Sequence, residues 1–180
     1  MEAHVKLALT MDNGTVAVMA FVTEGRSPTL PFGAQWIPPG EFWSRQPTDA
    51  NVWAELRKAC PGVNQLGIRR PVPLSYAVIT NAEIPADRAY RNAWEFVGGR
   101  VVENLAKAKE LHRDKLRRQR TELLLPLDIE WSRAMATDDK AAASAVEAER
   151  QQLRDAPDDP RIEAAQTVDE LKAVTLPARE

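Results

Sequence analysis

No glycine follows Gly99. All eight glycines of this 180-residue chain lie at or before that position, so its last 81 residues contain none. Glycine is the usual residue for positive φ and for loops. Its absence from so long a stretch, rich in Ala, Glu, Arg, Lys and Leu, predicts helix with few breaks. The front of the chain is the opposite, with Pro and Gly clusters between apolar, β-branched runs. Together the halves predict an α+β protein. A small β-rich domain would span 1–102, and a helical hairpin with a short terminal helix would span 103–180.

In the front half, HVKLALTM and TVAVMAFVT flank Asp12-Asn13-Gly14. Asn-Gly tolerates φ > 0 at both positions, so a β-hairpin is predicted over 4–23. Residues 25–50 interleave Trp36, Phe42 and Trp43 with prolines and glycines and leave little room for regular structure. Such a loop must cover its own core or bury its rings in a neighbour. Thr48 or Asp49 can cap a short helix through Ala59, with Val52, Trp53 and Leu56 on one side. Tyr76 to Thr80 reads as a strand, and Gly98-Gly99 as a tight turn joining two more. Trp94 sits between them and is expected to be buried. Polar contacts of Asp87 with Arg88 or Arg91 are expected to fix that corner.

The long helix is predicted to start near Glu103 or Asn104. Its apolar stripe reads Leu105, Ala108, His112 and Leu116, then Leu123, Leu127, Trp131 and Met135. Pro126 removes one hydrogen bond and crowds the carbonyl of Glu122, so a kink or break is expected there. Thr137-Asp138-Asp139 reads as a reversal. A second helix follows to Asp155, with Ala142, Val146 and Leu153 inward, and Pro157 and Pro160 end it. Thr167 caps a last short helix, with Glu170 completing a capping box.

Composition narrows the function. The formal charge is -2, so the molecule as a whole is no polycation. The only cysteine, Cys60, rules out an intrachain disulfide and reads as a small buried residue. No run of about 18 apolar residues exists to span a membrane, and the N-terminus lacks the basic start of a secretory signal. His4 and His112 are the only histidines and have no further ligands at metal-binding spacing. No phosphate loop, nucleophile elbow or zinc-protease motif is present. Asp138-Asp139 and Asp158-Asp159 read as turn and cap residues. The expectation is no enzyme, no cofactor and no metal.

One charge cluster stands out. From Lys107 to Glu122 seven cations, Arg113, Arg117 and Arg120 among them, face three carboxylates. A nucleic-acid helix has this look. So does a solvated helix, or one docking on an acidic partner. No aromatic residue lies among these cations, and 138–180 carries 11 Asp/Glu against 6 Lys/Arg. That acidic tail can satisfy the basic helix directly, so nucleic acid is the less favoured partner.

A resemblance covers about residues 71–176. The element P-x-D-R-x-F/Y-R-x-A-W is carried here by Pro85, Asp87, Arg88, Tyr90, Arg91, Ala93 and Trp94. After a Gly-rich turn come Ala106-Lys107, Leu111-His112-Arg113 and Leu116-Arg117, then Asp128, Trp131, Arg133 and Ala134. Leu153-Arg154-Asp155 follows, and Ile162, Ala164, Ala165, Thr167 and Leu171 to Val174 close the series. In this order the motifs resemble a phage and prophage tail-region family, similar to tail-fibre-assembly and tail-assembly-chaperone proteins. Members of that family carry a short N-terminal strand region, whereas this chain has the insert at 25–50. Extra aromatic surface suits a permanent interface.

The resemblance implies a structural virion component at the tail, neck or fibre attachment region, assembled in the host cytoplasm. It would act through interfaces with other phage structural proteins and as a homo-oligomer. The alternatives are an assembly chaperone absent from the mature particle and, less favoured, a nucleic-acid-binding protein. Permanent interfaces bury aromatic and arginine anchors. The anchor candidates are Trp36, Phe42, Trp43, Trp94 and Trp131, with Arg113, Arg117 and Arg120.

Overall fold

Residues 3–26 and 42–178 are described by a computed structural model, with side chains over 4–24 and 44–178. The protein is α+β, and it divides into two units, Met1–Glu103 and Asn104–Glu180.

The first unit is built on the Asn-Gly turn. Strands β1 (Ala3–Met11) and β2 (Val16–Arg26) pair antiparallel, with Leu7 opposite Met19 and Thr10 opposite Val16. Gly14 supplies the positive φ of 75° that closes the turn. Strand β3 (Phe42–Ser44) adds to β2 and β4 (Pro73–Ile79) to β1, giving the order β3-β2-β1-β4. Alternation along β1 divides its side chains between two faces. Leu7, Leu9 and Met11 join Phe21 and pack on Val52 and Leu56 of helix α1 (Asp49–Ala59), which Thr48 caps. Ala8, Val16 and Ile79 form a second cluster with Trp94 and Val101. Trp94 opens β5 (Trp94–Val97), which pairs with β6 (Arg100–Glu103) across Gly98-Gly99. The sheet is thus covered on both faces, which accounts for the dense apolar runs of the hairpin.

The second unit is helical. Helix α2 (Leu105–Ala136) is capped by Asn104, α3 (Lys140–Asp155) by Asp139 and α5 (Val168–Ala173) by Thr167. The reversal between α2 and α3 uses Asp138 at φ 53°. In a half without glycine, Asp takes the left-handed position, which it tolerates better than most residues.

Three sequence expectations need correction here. First, α2 does not end at Pro126; it is continuous to Ala136. The cost of a proline inside a helix, the lost hydrogen bond and the ring clash together about 3 kcal/mol, is outweighed by packing beyond it, where Leu127 and Ala134 are buried. Second, Leu123 and Met135 are exposed and Trp131 is half-buried, while Leu127 and Ala134 continue the buried face. A step of four residues overshoots a full turn by about 40°, so a run of fours from Leu127 carries Met135 off that face. On α3 it is Ala143, beside the half-buried Ala142, that is buried with Leu153. Third, α3 ends at Asp155 as expected, but the prolines do not close the helical structure there. A 3-10 turn spans Ala156–Asp158, and Pro160 opens a further helix, α4 (Pro160–Ala164). Proline lacks only a donor that the first helical position does not use.

Candidate functional site

The segment from Ile84 to Trp94 makes a corner on the first unit. Upstream, Glu83 accepts hydrogen bonds from the backbone N–H and hydroxyl of Thr80, at 2.5 and 2.9 Å. Those bonds hold its carboxyl below the usual range. Asp87 accepts from the Ala89 N–H at 2.8 Å, a local Asx turn. A 3-10 turn over Arg91–Ala93 follows, closed by the Ala93 N–H on the Tyr90 carbonyl at 2.7 Å. This tight winding sorts the side chains by type. Tyr90, Ala93 and Trp94 are buried, whereas Arg88, Arg91 and Asn92 are exposed. Burial alone raises the Tyr90 pKa.

Trp94 is 4% exposed. That burial agrees with the sequence expectation, and it removes the ring from the set of outward-facing anchors. Its indole Nε1–H is buried and has no acceptor among the described residues. An orphaned buried donor costs about 1–3 kcal/mol, so it needs an explanation. The expected polar clamp of Asp87 with Arg88 or Arg91 does not form. Asp87 turns to its own backbone, and neither arginine has a side-chain partner among the described residues.

Arg88, Arg91 and Trp94 line a cleft of about 410 Å³. Lys6 from β1 joins Arg88, Arg91 and Asn92 there, against walls that include Val16, Val18 and Ile84. Among the described residues no carboxylate lines the cleft. Lys6, like the two arginines, has no partner among the described residues.

The second unit treats its charges differently. Arg113 donates to Glu110 at 2.6 Å and also pairs with Glu163. Those carboxylates raise the Arg113 pKa, and Arg113 in turn holds Glu163 low. Lys109 donates to the Glu163 carbonyl at 2.5 Å. Arg117 pairs with Asp114 at 2.8 Å, and Arg120 donates to the Arg154 carbonyl at 2.7 Å. The three arginine candidates are therefore engaged inside their own unit. Trp131 is half-buried, with the Arg150 guanidinium 5.4 Å from its ring centre; Arg150 also pairs with Asp128 at 2.7 Å. His112 is 2% exposed and donates Nε2–H to the Val174 carbonyl at 2.8 Å. A carbonyl only accepts, so Nε2 carries the proton. Burial pushes its pKa down.

Of the remaining candidates, Trp36 lies outside the described residues. Phe42 and Trp43 belong to β3, and their rings lie outside the described side chains. Among the described residues no group of His, Cys, Asp or Glu could hold a metal ion, and no helix is long and apolar enough to cross a membrane.

Sequence reasoning missed two other polar hubs. Asp12 accepts from the Val72 N–H at 3.1 Å and from Arg69 at 3.0 Å. The Val72 bond is the main cause of its lowered pKa. Arg45 lies 4.1 Å from the centre of the Phe21 ring and reaches Glu55 at 3.1 Å. Both join positions far apart in sequence, which local periodicity does not reveal.

Comparison with protein-family models, with curated proteins and with solved structures finds no match.

Proposed function

We propose that this chain is a structural component of a tailed-phage particle, in the tail, neck or fibre attachment region, and that it works through protein–protein interfaces rather than turnover. The order of motifs over 71–176 supports the phage reading. The observation that carries the interface reading is an apolar stripe on α2. Leu125 is 66% and Ile129 48% exposed. One turn apart on the same side, they continue toward Ser132 and Ala136 in a shallow groove with Ile129. That side is away from buried Leu127 and Ala134. Apolar stripes of this kind on soluble proteins mark interaction surfaces. Exposed Val63, Leu66 and Ile68, and Leu74 and Val78 on edge strand β4, add apolar surface on the first unit.

Mass spectrometry of purified particles tests this reading. Recovery of the chain in fixed stoichiometry with other tail proteins is expected. Recovery from assembling cells but never from finished particles would replace it with the chaperone reading. Salt-dependent binding to DNA by the purified chain, with no presence in particles, would overturn both.

A further inference from the structure

We propose that the corner built by Lys6, Arg88, Arg91, Asn92 and Trp94 binds a carboxylate carried on an acidic, apolar-flanked peptide segment of a partner protein. It rests on the reading above only in taking the occupant to be a protein.

The charge pattern is the first reason. Three cations line one cleft with no carboxylate among them and no partner among the described residues. On the second unit Arg113, Arg117 and Arg150 each meet a carboxylate of their own chain. The cleft therefore holds positive charge that the fold does not neutralise. Guanidinium groups present paired donors that match a carboxylate.

The second reason is the Trp94 indole N–H, buried in the same corner without an acceptor. With the Asn92 amide it adds neutral donors to the cationic ones. A carboxylate has two oxygens and about four acceptor sites, enough to engage several of these donors.

The walls select the rest of the ligand. Val16, Val18 and Ile84 give the cleft an apolar lining, and its volume of about 410 Å³ falls in the range of small ligand sites. Bare phosphate would leave those walls unused. Phosphate cradles are also built from glycine-rich backbone N–H groups, and among the described residues no glycine lines this cleft. An acidic side chain flanked by apolar ones uses both the cations and the walls. The tail-region motif acquires a physical reading as well. Its Tyr90, Ala93 and Trp94 anchor the corner in the core, and its Arg88 and Arg91 line the cleft.

The test is calorimetric titration of the full chain at low ionic strength. The probes are acetyl-Leu-Glu-Glu-Leu-amide, its Gln-for-Glu counterpart and inorganic phosphate. The Glu peptide is expected to bind about tenfold or more tighter than the Gln peptide, with affinity falling as salt rises. The double variant Arg88→Ala/Arg91→Ala is expected to lose at least as much while melting like the parent, because both side chains are exposed. Trp94→Phe keeps a ring and removes the N–H; a severalfold loss is expected. Equal binding of the two peptides, no binding of either, or unchanged affinity in the double variant would overturn the proposal. So would phosphate competing as strongly as the Glu peptide. Unchanged affinity in Trp94→Phe would overturn the role given to the indole. None of these results bears on whether the chain is found in particles, so the two readings fail separately.

Discussion

The two units solve the same problem with different means. The sheet unit buries large apolar side chains on both faces of one sheet: Leu7, Leu9, Phe21, Val52 and Leu56 on one, Ile79, Trp94 and Val101 on the other. The helical unit has a thinner core, with Ala108, Ala134 and Ala143 among its buried residues, and adds charge. Arg113 with Glu163, and Arg150 with Asp128, tie its helices together. Apolar burial is indifferent to salt and pH, whereas exposed ion pairs are not. The sheet unit leaves Lys6, Arg88 and Arg91 without a partner among the described residues, whereas on α2 Lys109, Arg113 and Arg117 each meet a carboxylate. Unpaired charge points outward to a ligand, and paired charge points inward to the fold.

The largest effect should come from the sheet core. Phe21→Ala is expected to cost about 3–5 kcal/mol, and Trp94→Ala on the opposite face a similar amount. Chemical denaturation at two salt concentrations should show the same loss in both. A cost under about 1 kcal/mol for Trp94→Ala would place its ring outside the core and undo the contrast between the units.

His112 gives the helical unit a pH dependence that the sheet core lacks. Its folded pKa is depressed by burial. The unfolded chain therefore takes up a proton near pH 6.5 while the folded chain does not. Stability is fully present above about 6.5 and is lost as pH falls through the folded value. His112→Gln can keep an N–H for the Val174 carbonyl and should flatten helix stability between about pH 7.5 and 5.5. Urea unfolding followed by helical circular dichroism measures this. Asp159 and Glu147 also have lowered pKa values, set mainly by Arg161 and Arg154. Their contributions are present above the ordinary carboxylate range and are lost as pH falls below it, so they fall in a separate, more acidic window. An unchanged slope in His112→Gln would remove the histidine from the account.

Asp138 tests the missing glycine. At φ 53° an L residue is strained and glycine is not, so Asp138→Gly should stabilise the α2–α3 reversal by up to about 1 kcal/mol. Destabilisation would mean that the aspartate does more in this turn than hold a left-handed position.

Much of this fold was legible because its signals are local. Asn13-Gly14, Gly98-Gly99, Thr48 and Thr167 each act within a few residues, and each turn or cap is where the pattern puts it. The burial of Trp94 was legible too. Helix α4 is not legible in the same way, because a proline can end a helix or open one; Pro160 stands at a first helical position, with Asp159 accepting from the Arg161 N–H at 2.8 Å. The lower part of the α2 stripe was misjudged because steps of four drift around a helix. The cleft was half legible. Arg88 and Arg91 sit in the motif, but Lys6 reaches them from a strand more than 80 residues earlier, and no local period connects the two. The pairing of Arg113 with Glu163 is equally distant in sequence.

That last pair sets the smallest expected effect. Glu163 is the hub for Lys109 and Arg113, and its carboxylate is two-thirds exposed. Solvent screens such a pair and side-chain ordering offsets part of its attraction. Glu163→Gln keeps the size and the backbone carbonyl that accepts from Lys109, and removes only the charge. Its penalty should be the smallest of the set at low salt. It should vanish in about 0.5 M salt, where the Debye length falls below about 5 Å. The Phe21→Ala penalty should be the same at both salt concentrations. If both penalties respond to salt alike, charge does not distinguish the helical unit from the sheet unit, and its helices are held by Leu116, Leu127, Leu153, Ile162 and Leu171 alone.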